Sequence, residues 1–553
     1  MSTRQKKTSG RPAPADPEAA QFTPRAAAQD GGSDGGRTDD GVGRSSRASR
    51  QVEIETKLEM AAGAPFPALF GRRKLMAAGI AEIGDPQSFA LDATYYDTVC
   101  LDLLRSRMTL RRRTGGPDAG WHLKLPATDG RTEVQLPLAA GAAGEVPAEL
   151  AALVRGAARG RNLGPVARVQ NNRTVRHLRD KAGTTLIEVA DDHVTGTRLL
   201  DGPTEQTIWR ELEAEIVDGT REQLAATVDV LLAAGAGTAS SVSKMARAVG
   251  YEPPTARRGK TAGAVVFAAL GRQQDLLITA DRGLREGQSD APDALHDARS
   301  AARRMRAILT VYAPLLESAG TPDLRSALRA FGTVLSTARD VDVAAGRLTA
   351  QLVDEPEDYA RAARIRLQDG CRRRLRAAAT EVRIFLDSPE YLQMLRDIDA
   401  LVMTPPLSRR GARAAGTELP SLITASWQGL RERADNALGD PDNVAAVHQV
   451  RKYAKTLRYA TEAAIQALGA DAVVFASALE EIQETLGEFQ DAKYASGLLA
   501  SLARDDETDG VAGFIFGRLH AFEQAMAHGA FDEFTDVWDR IEDGDLVASL
   551  RRS

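Results

Sequence analysis

Residues 52–60 alternate charged and apolar side chains with a period of two, which leaves few ways for this stretch to fold. The charged positions, three glutamates and one lysine, are Glu53, Glu55, Lys57 and Glu59. Such alternation is typical of a β-strand with one buried face. On a surface strand the charged face is solvated, whereas in a barrel strand it lies inside and needs a ligand, a metal or opposite charges for compensation. Repetition of the pattern in later strands favours the barrel.

Short strand-like runs alternate with turns between residue 51 and about residue 250. These runs lie at 94–98, 108–113, 121–125, 131–136, 169–178, 184–190 and 207–216. The dipeptide Asp129-Gly130 between two of them is a strong hairpin signal, and the turns recur at a spacing typical of barrels. Residues 66–81 are predicted to be helical. The first half of the chain is therefore predicted to form a β-barrel.

The second half of the chain has a different character. Residues 253–262 contain two prolines and no hydrophobic period, so we interpret them as a linker. From residue 263 to 553 the chain is rich in Ala, Leu and Arg with a period of 3.6, which predicts an all-helical domain broken by a loop at 404–416. We therefore expect an α+β multidomain protein with a barrel at 51–252 and a helical bundle at 263–553.

The overall composition excludes several classes of protein. The 553 residues carry a net charge of −5, which argues against a general nucleic-acid binder. Cys100 and Cys371 lie far apart, which argues against a disulfide framework or a zinc site and suits a reducing cytoplasm. No apolar run approaches the ~18 residues of a membrane span. Residues 1–50 are rich in Gly, Ser, Ala, Arg and Asp, and we expect them to be disordered.

The predicted inward positions of the barrel combine carboxylates with cations. Glutamates two residues apart on a strand share a face and can hold a hard divalent cation such as Mg²⁺. Arginine and lysine on neighbouring strands suit the oxygens of a polyphosphate. The alternative is a set of surface ion pairs, each of little energetic value. The inward residues are Glu53, Glu55, Glu133, Glu211, Glu213 and Glu215, with Lys57, Arg111, Arg113, Lys124, Arg173 and Lys244.

The ordered set of motifs resembles the CYTH, or triphosphate tunnel metalloenzyme, family. The opening Glu53-x-Glu55-x-Lys57 is similar to the ExExK signature of that family. The matching pieces follow in order at 95–98, 110–113, 121–124, 131–133, Asp191, 211–213 and 243–244. The resemblance implies an eight-stranded antiparallel tunnel that hydrolyses or cyclises triphosphates with Mg²⁺ or Mn²⁺.

The resemblance also implies a role for each inward residue. The implied metal ligands are Glu53, Glu55, Glu211, Glu213 and Glu215. The implied triphosphate-binding residues are Lys57, Arg111, Arg113, Lys124, Arg173 and Lys244. The implied catalytic residues are Lys57, Glu133 and Asp191. The strand registers leave Arg176 open as an alternative to Arg173, and Asp192 as an alternative to Asp191. His122 is expected to face away from the lumen.

The helical half contains an internal repeat of basic residues. His448 follows His296 by 152 residues, and Leu486 follows Leu335 by 151, which indicates duplication. On a helix, positions i, i+3, i+7 and i+10 fall within an arc of about 80°, so each copy presents a stripe. The first stripe is His296, Arg299, Arg303 and Arg306, and the second is His448, Arg451, Lys455 and Arg458. A single such stripe is usually a solvated face, and the matching pair favours a binding surface.

The paired stripes resemble the CHAD domain, which is built from two four-helix repeats and binds inorganic polyphosphate. The two resemblances together imply a metal-dependent hydrolase of inorganic triphosphate or polyphosphate with a helical docking domain. The alternatives are a class IV adenylate cyclase and a non-catalytic polyphosphate-binding protein. We expect tripolyphosphate and polyphosphate as partners, no membrane or sequence-specific nucleic acid, and a cytoplasmic location, at polyphosphate granules.

Overall fold

The computed structural model describes residues 49–551 except 68, 70–72, 128, 143, 203–204, 254–258, 287–291, 318–320, 441–442 and 506–507. The predicted disorder of residues 1–50 falls almost entirely outside the described residues. The strands are β1 Ser49–Glu53, β2 Glu55–Glu59, β3 Glu82–Ile83, β4 Gln87–Asp97, β5 Thr109–Thr114, β6 Gly120–Pro126, β7 Arg131–Leu136, β8 Gly164–Arg179, β9 Thr185–Arg198, β10 Gln206–Ile216 and β11 Gly237–Thr238.

The strands form one antiparallel sheet. The sheet closes into a barrel at the junction between its first two strands, β1 and β2. The order is β1-β7-β6-β5-β4-β8-β9-β10-β2-β11, so β1 pairs with β7 and β2 pairs with β10. Because β1 and β2 are separated only by Ile54, the two ends of the sheet meet there. The prediction of one strand at 52–60 is corrected accordingly: the chain leaves β7 after Glu53 and joins β10 at Glu55.

The barrel has its charged face inside and its apolar face outside. On one side Leu58, Ile187 and Leu212 pack in a buried cluster that also holds Leu224 and Leu231 of a covering helix. The barrel helices are α1 Arg73–Ala77, α2 Asp102–Arg105, α3 Ala148–Val154, α4 Arg221–Ala233 and α5 Lys244–Val249. The helix expected at 66–81 is confined to the five residues of α1 among those described.

The second half of the described chain is helical. Its helices are α6 Ala262–Glu286, α7 Pro292–Val311, α8 Thr321–Gln351, α9 Glu357–Leu386, α10 Pro389–Met403, α11 Ala415–Leu438, α12 Val444–Leu468, α13 Ala470–Ala503, α14 Gly510–Asp539 and α15 Asp545–Ser549. The loop predicted at 404–416 lies between α10 and α11. Among the described residues, no helix is both long and apolar enough to cross a bilayer.

The outer face of β5–β7 packs directly against the helical half. Trp121 and Leu123 of the barrel belong to the same buried cluster as Val266 and Phe267 of α6. A polar network also crosses this contact. Asp399 of α10 accepts hydrogen bonds from Arg105 at 2.5 Å and from Gln274 at 3.1 Å, and Arg159 lies 3.0 Å away. The barrel and the helices therefore share a continuous interior.

Candidate functional site

The barrel encloses a cavity of about 310 Å³ lined by alternate residues of its strands. Period-two alternation brings these side chains inward because successive Cβ atoms of a strand point to opposite faces. Of the residues predicted to face inward, those lining the cavity are Glu53, Glu55, Lys57, Arg111, Arg113, Lys124, Glu133, Arg173, Glu213, Glu215 and Lys244.

The pairing of β2 with β10 builds an acidic wall with one lysine in it. Glu213 lies opposite Lys57 and Glu215 lies opposite Glu55. Lys57 Nζ contacts Glu213 Oε1 at 2.6 Å and Glu55 Oε1 at 3.3 Å. Burial disfavours the charge on Lys57, but Glu213 and Glu55 outweigh burial and raise its pKa. Lys57 is therefore a fixed cation.

The opposite wall carries arginines that lack full compensation. Burial, with Arg111 and Arg173 nearby, lowers the pKa of Arg113 to about 9. Among the described residues, the Nε atoms of Arg111 and Arg113 are buried without a hydrogen-bond partner. The nearest carboxylate recorded for Arg111 is Glu133, 3.8 Å from its Nη2. Although Asp118 forms an ion pair with Arg113, the free Nε donors in this cavity fit an anionic ligand with several oxygens.

Lys244 lies among three carboxylates beside the cavity. Ser243 accepts the N–H of Ala246 at 3.1 Å and caps α5, which places Lys244 in its first turn. Lys244 Nζ lies 2.8 Å from Asp192, 2.5 Å from Glu211 and 2.8 Å from Glu213. Oxygen atoms of these carboxylates lie within 4.8 Å of one another. Glu211 therefore belongs to this cluster and does not line the cavity itself.

Asp191 does not lie in the tunnel, and its prediction as a catalytic residue there is corrected. In β9 the side chain that points inward is that of the next residue, Asp192. It forms an ion pair at 2.7 Å with Arg173, its partner on the neighbouring strand β8. Asp191 points to the other face, where both its oxygens accept from Arg210 at 2.8 and 2.9 Å. The same alternation decides the other open register: Arg173 lines the cavity, whereas the Arg176 guanidinium lies 4.0 Å from the Phe66 ring centre.

His122 faces inward, contrary to the expectation from the sequence. It lies two residues before Lys124 on β6, so both side chains share one face. Its Nδ1 lies 2.9 Å from Glu133 Oε1, and the side chain is buried. His122 therefore contacts a residue of the cavity wall directly.

The two basic stripes of the helical half converge. Arg299 and Arg303 lie on α7, Arg451 and Lys455 lie on α12, and these two helices are in contact. Burial and the charges of Arg303, Arg451 and Arg299 lower the pKa of Lys455 to about 6. Burial is the larger cause of this shift and the arginine charges add to it, so the cations of the two helices lie close enough to repel one another.

The remaining residues of the two stripes do not all lie in the group formed by Arg299, Arg303, Arg451 and Lys455. Arg458 is paired with Glu462 at 2.7 Å and Glu480 at 2.5 Å. Arg306 lies near Arg329, whose charge adds to burial in lowering its pKa. His296 is exposed. His448 hydrogen-bonds to Gln490, and burial lowers its pKa, which favours the neutral, structural form of the histidine.

Comparison with known proteins identifies both halves. A family model for the CYTH domain matches residues 51–249, and one for the CHAD domain matches residues 268–500. The protein Rv2226 of Mycobacterium tuberculosis strain H37Rv, whose function is uncharacterised, is 35% identical over 508 residues, covering 87% of this chain and 94% of that protein. The chain belongs to the CYTH–CHAD family.

Two solved structures are similar to part of this CYTH–CHAD protein. PptA from Streptomyces chartreusis has a TM-score of 0.43 and 22% identity, covering 50% of this chain and 99% of that chain. The CHAD domain from the plant Ricinus communis has a TM-score of 0.42 and 21% identity, covering 50% of this chain and 91% of that chain.

One wall of the CYTH cavity has an excess of negative charge. Burial and the charges of Glu53, Glu55 and Glu213 raise the pKa of Glu215 to about 8, even though Lys124 opposes them. CYTH tunnel enzymes typically use divalent metals, and hard cations such as Mg²⁺ bind carboxylate oxygens. Glu53, Glu55 and Glu215 line this wall and offer carboxylate oxygens to such an ion, and Lys124 and Lys57 contact Glu53 and Glu55 at 2.5 and 3.3 Å. The cluster of Asp192, Glu211 and Glu213 already surrounds Lys244.

Several cavity residues were missed from the sequence. Asn171 lies two residues before Arg173, Gln135 lies two after Glu133, and Glu188 lies opposite Glu215 on β9. Strict extension of the period-two pattern along each strand would have found all three. Asp118, in the loop between β5 and β6, also lines the cavity, and no pattern in the sequence indicates it.

Proposed function

We propose that the CYTH barrel hydrolyses the phosphoanhydride bonds of inorganic tripolyphosphate or polyphosphate and that the CHAD domain binds longer polyphosphate chains. The observation that carries the proposal is one barrel cavity lined both by the carboxylates Glu53, Glu55 and Glu215 and by the arginines Arg111 and Arg113. A triphosphate needs both cations for its oxygens and a metal to offset its charge.

The cavity cations would bind and orient the substrate. Arg111, Arg113 and Arg173 would donate to non-bridging phosphate oxygens, with the free Nε donors of Arg111 and Arg113 finding partners there. Lys57 stays protonated because Glu213 and Glu55 raise its pKa, so it would donate a hydrogen bond and not accept a proton. Glu133, kept ionised by His122 and Lys124 despite its burial, would accept a hydrogen bond from the attacking water.

Glu53, Glu55 and Glu215 would hold the Mg²⁺ or Mn²⁺ ion. When bound, this ion would neutralise phosphate charge and polarise the phosphorus under attack. Lys124, 2.5 Å from Glu53, would keep that carboxylate in place and contribute positive charge toward the phosphates.

The CHAD domain would bind a long polyanion through the convergent residues of α7 and α12. Arg299, Arg303 and Arg451 provide positive charge, and Lys455, whose pKa is lowered to about 6, would gain a proton when a polyanion binds. Polyphosphate would supply the missing negative charge. We propose that a protein combining such a hydrolase with such a docking surface acts in the cytoplasm at polyphosphate granules.

The proposal is tested by metal-dependent phosphate release from tripolyphosphate, long-chain polyphosphate and ATP, with cyclic AMP measured in parallel. We expect phosphate release from at least one inorganic substrate and none without divalent metal. Glu55→Gln should abolish release. Glu59→Gln is the matched control, because Glu59 lies on the same strand but pairs with Arg247 and Ser240 outside the cavity.

Each alternative function has its own outcome in this assay. Cyclic AMP from ATP without release from the inorganic substrates would identify a cyclase. Binding of polyphosphate without turnover of any substrate would identify a non-catalytic binding protein.

A further inference from the structure

The loop between β5 and β6 has a fixed shape at the edge of the cavity. Gly115 and Gly116 have φ values of +80° and +75°, which disfavour other residues. A Cβ on Gly115 would also collide with the carbonyl oxygen of Ala90. The loop is therefore held close to β4, and it carries Asp118 into the cavity lining.

The Asp118 carboxylate forms an ion pair with the guanidinium of Arg113. Its main-chain carbonyl oxygen lies 2.9 Å from Nε2 of His122, and Nδ1 of the same ring lies 2.9 Å from Glu133. Burial lowers the pKa of His122 to about 4, so the ring is neutral at pH 7 and donates its single N–H to one of these two oxygens. The Asp118 side chain is therefore positioned by Arg113.

Asp118 differs from the other carboxylates that pair with cavity cations. Lys57 and Lys124 pair with Glu213 and Glu53, both of which belong to strands of the barrel wall. The Asp118 side chain belongs to a loop and is 44% exposed, whereas the Arg113 side chain is 6% exposed. Rotation of the Asp118 side chain toward solvent would free Arg113 without disturbing any strand.

We propose that Asp118 is a specificity-determining residue that occupies Arg113 in the ligand-free cavity and releases it to a substrate phosphate. The inference rests on the proposed function of the barrel. An anion that reaches Arg113 must displace a carboxylate, so weakly charged anions are disfavoured. A tripolyphosphate contacts the other cavity cations at the same time and can therefore displace the Asp118 carboxylate from Arg113. Asp118 thereby lowers the affinity of single phosphates, including the orthophosphate product.

The test measures tripolyphosphate and orthophosphate binding to the full chain by calorimetry with EDTA present to prevent turnover. Asp118→Asn should lower the Kd for both orthophosphate and tripolyphosphate about fivefold, the equivalent of about 1 kcal/mol, which is the upper end for a partly exposed ion pair. Asp118→Glu keeps the charge and should bind like the wild type. Asp129→Asn, in the neighbouring β6–β7 turn and paired with Arg221, is the matched control and should leave Kd unchanged.

Tighter binding is diagnostic, because damage to the loop would weaken binding. In an Arg113→Ala background the Asp118→Asn effect should disappear, since the two residues act through one contact. If the wild type binds and Asp118→Asn has the same or a weaker affinity, the inference about Asp118 is overturned while the proposed function stands. If the wild type binds neither anion in EDTA, the inference about Asp118 is overturned, whereas the proposed function is decided separately by phosphate release with divalent metal present.

Discussion

At the scale of single residues, Glu215 is the group whose ionisation conflicts most clearly with folding. Its pKa of about 8 in the folded chain lies above the ordinary value of 4.5. Its contribution to stability is therefore fully present below pH 4.5 and is lost as pH rises toward 8. We expect the metal-free unfolding free energy to fall over this range. Glu215→Gln should flatten the fall, as measured by urea denaturation with EDTA at several pH values.

The control for this experiment is Glu82→Gln on β3, because Glu82 is exposed and lies outside the cavity. Equal pH dependence in the wild type and Glu215→Gln would contradict the assignment of excess negative charge to this wall. Addition of Mg²⁺ should stabilise the wild type more than Glu215→Gln, since the ligand set loses one charge.

A second prediction at the scale of single residues concerns Lys455. Its pKa of about 6 means that the side chain is mostly neutral at pH 7.5 in the free protein. A bound polyanion would restore the proton, so binding should take up protons and weaken as pH rises above 6. Calorimetry of polyphosphate binding in two buffers of different ionisation enthalpy measures this uptake. Lys455→Arg should remove most of it, whereas Lys260→Arg should retain it, and equal uptake in both variants would contradict the prediction.

At the scale of elements, strand β9 carries two neighbouring aspartates that point to opposite faces of the sheet and therefore have different roles. Asp192 faces the cavity cations Arg173 and Lys244, and Asp191 faces Arg210 on the outer side. We expect Asp192→Asn to lower hydrolysis about tenfold or more, the usual cost of losing a group that orients binding residues. Asp191→Asn should lower the melting temperature but keep activity per folded molecule. Similar activity in both variants would contradict this division of roles.

At the scale of the whole molecule, the contact between barrel and helices is part of the core. Asp399 is buried, and although burial raises its pKa, the hydrogen bond from Arg105 and the charge of Arg159 bring it below the ordinary value. Removing one member of a buried ion pair costs about 3–5 kcal/mol. Asp399→Ala should therefore reduce the urea midpoint strongly. Asp397→Ala, exposed on the same helix, is the control.

Because one buried cluster spans both halves, wild-type denaturation should show a single transition. Two separated transitions by barrel and helix probes would contradict this continuity. The division at 253–262 stays a prediction, and cutting there would expose Val266 and Phe267 of α6.

The sequence by itself determined which side chains share a face. Alternation along a strand and periodicity along a helix are local properties of the backbone, so Glu55 could be grouped with Lys57, and Arg111 with Arg113, without any knowledge of the fold. The same holds for the stripes of α7 and α12. The same periods predicted most strands of the barrel and the helical character of the second half, but not the barrel helices α2 to α5 or the short strands β3 and β11.

Only the tertiary structure decided how those faces meet. The break at Ile54 follows from barrel closure, the choice of Asp192 over Asp191 from the register of β9 against β8, and the Asp118–Arg113 pair from the course of a loop. A shift of one residue in strand register exchanges the inner and outer faces, and local sequence does not determine that register. Lys455 likewise owes its low pKa first to burial and then to charges that include Arg303 and Arg299 on another helix, and both depend on distance in space and not along the chain.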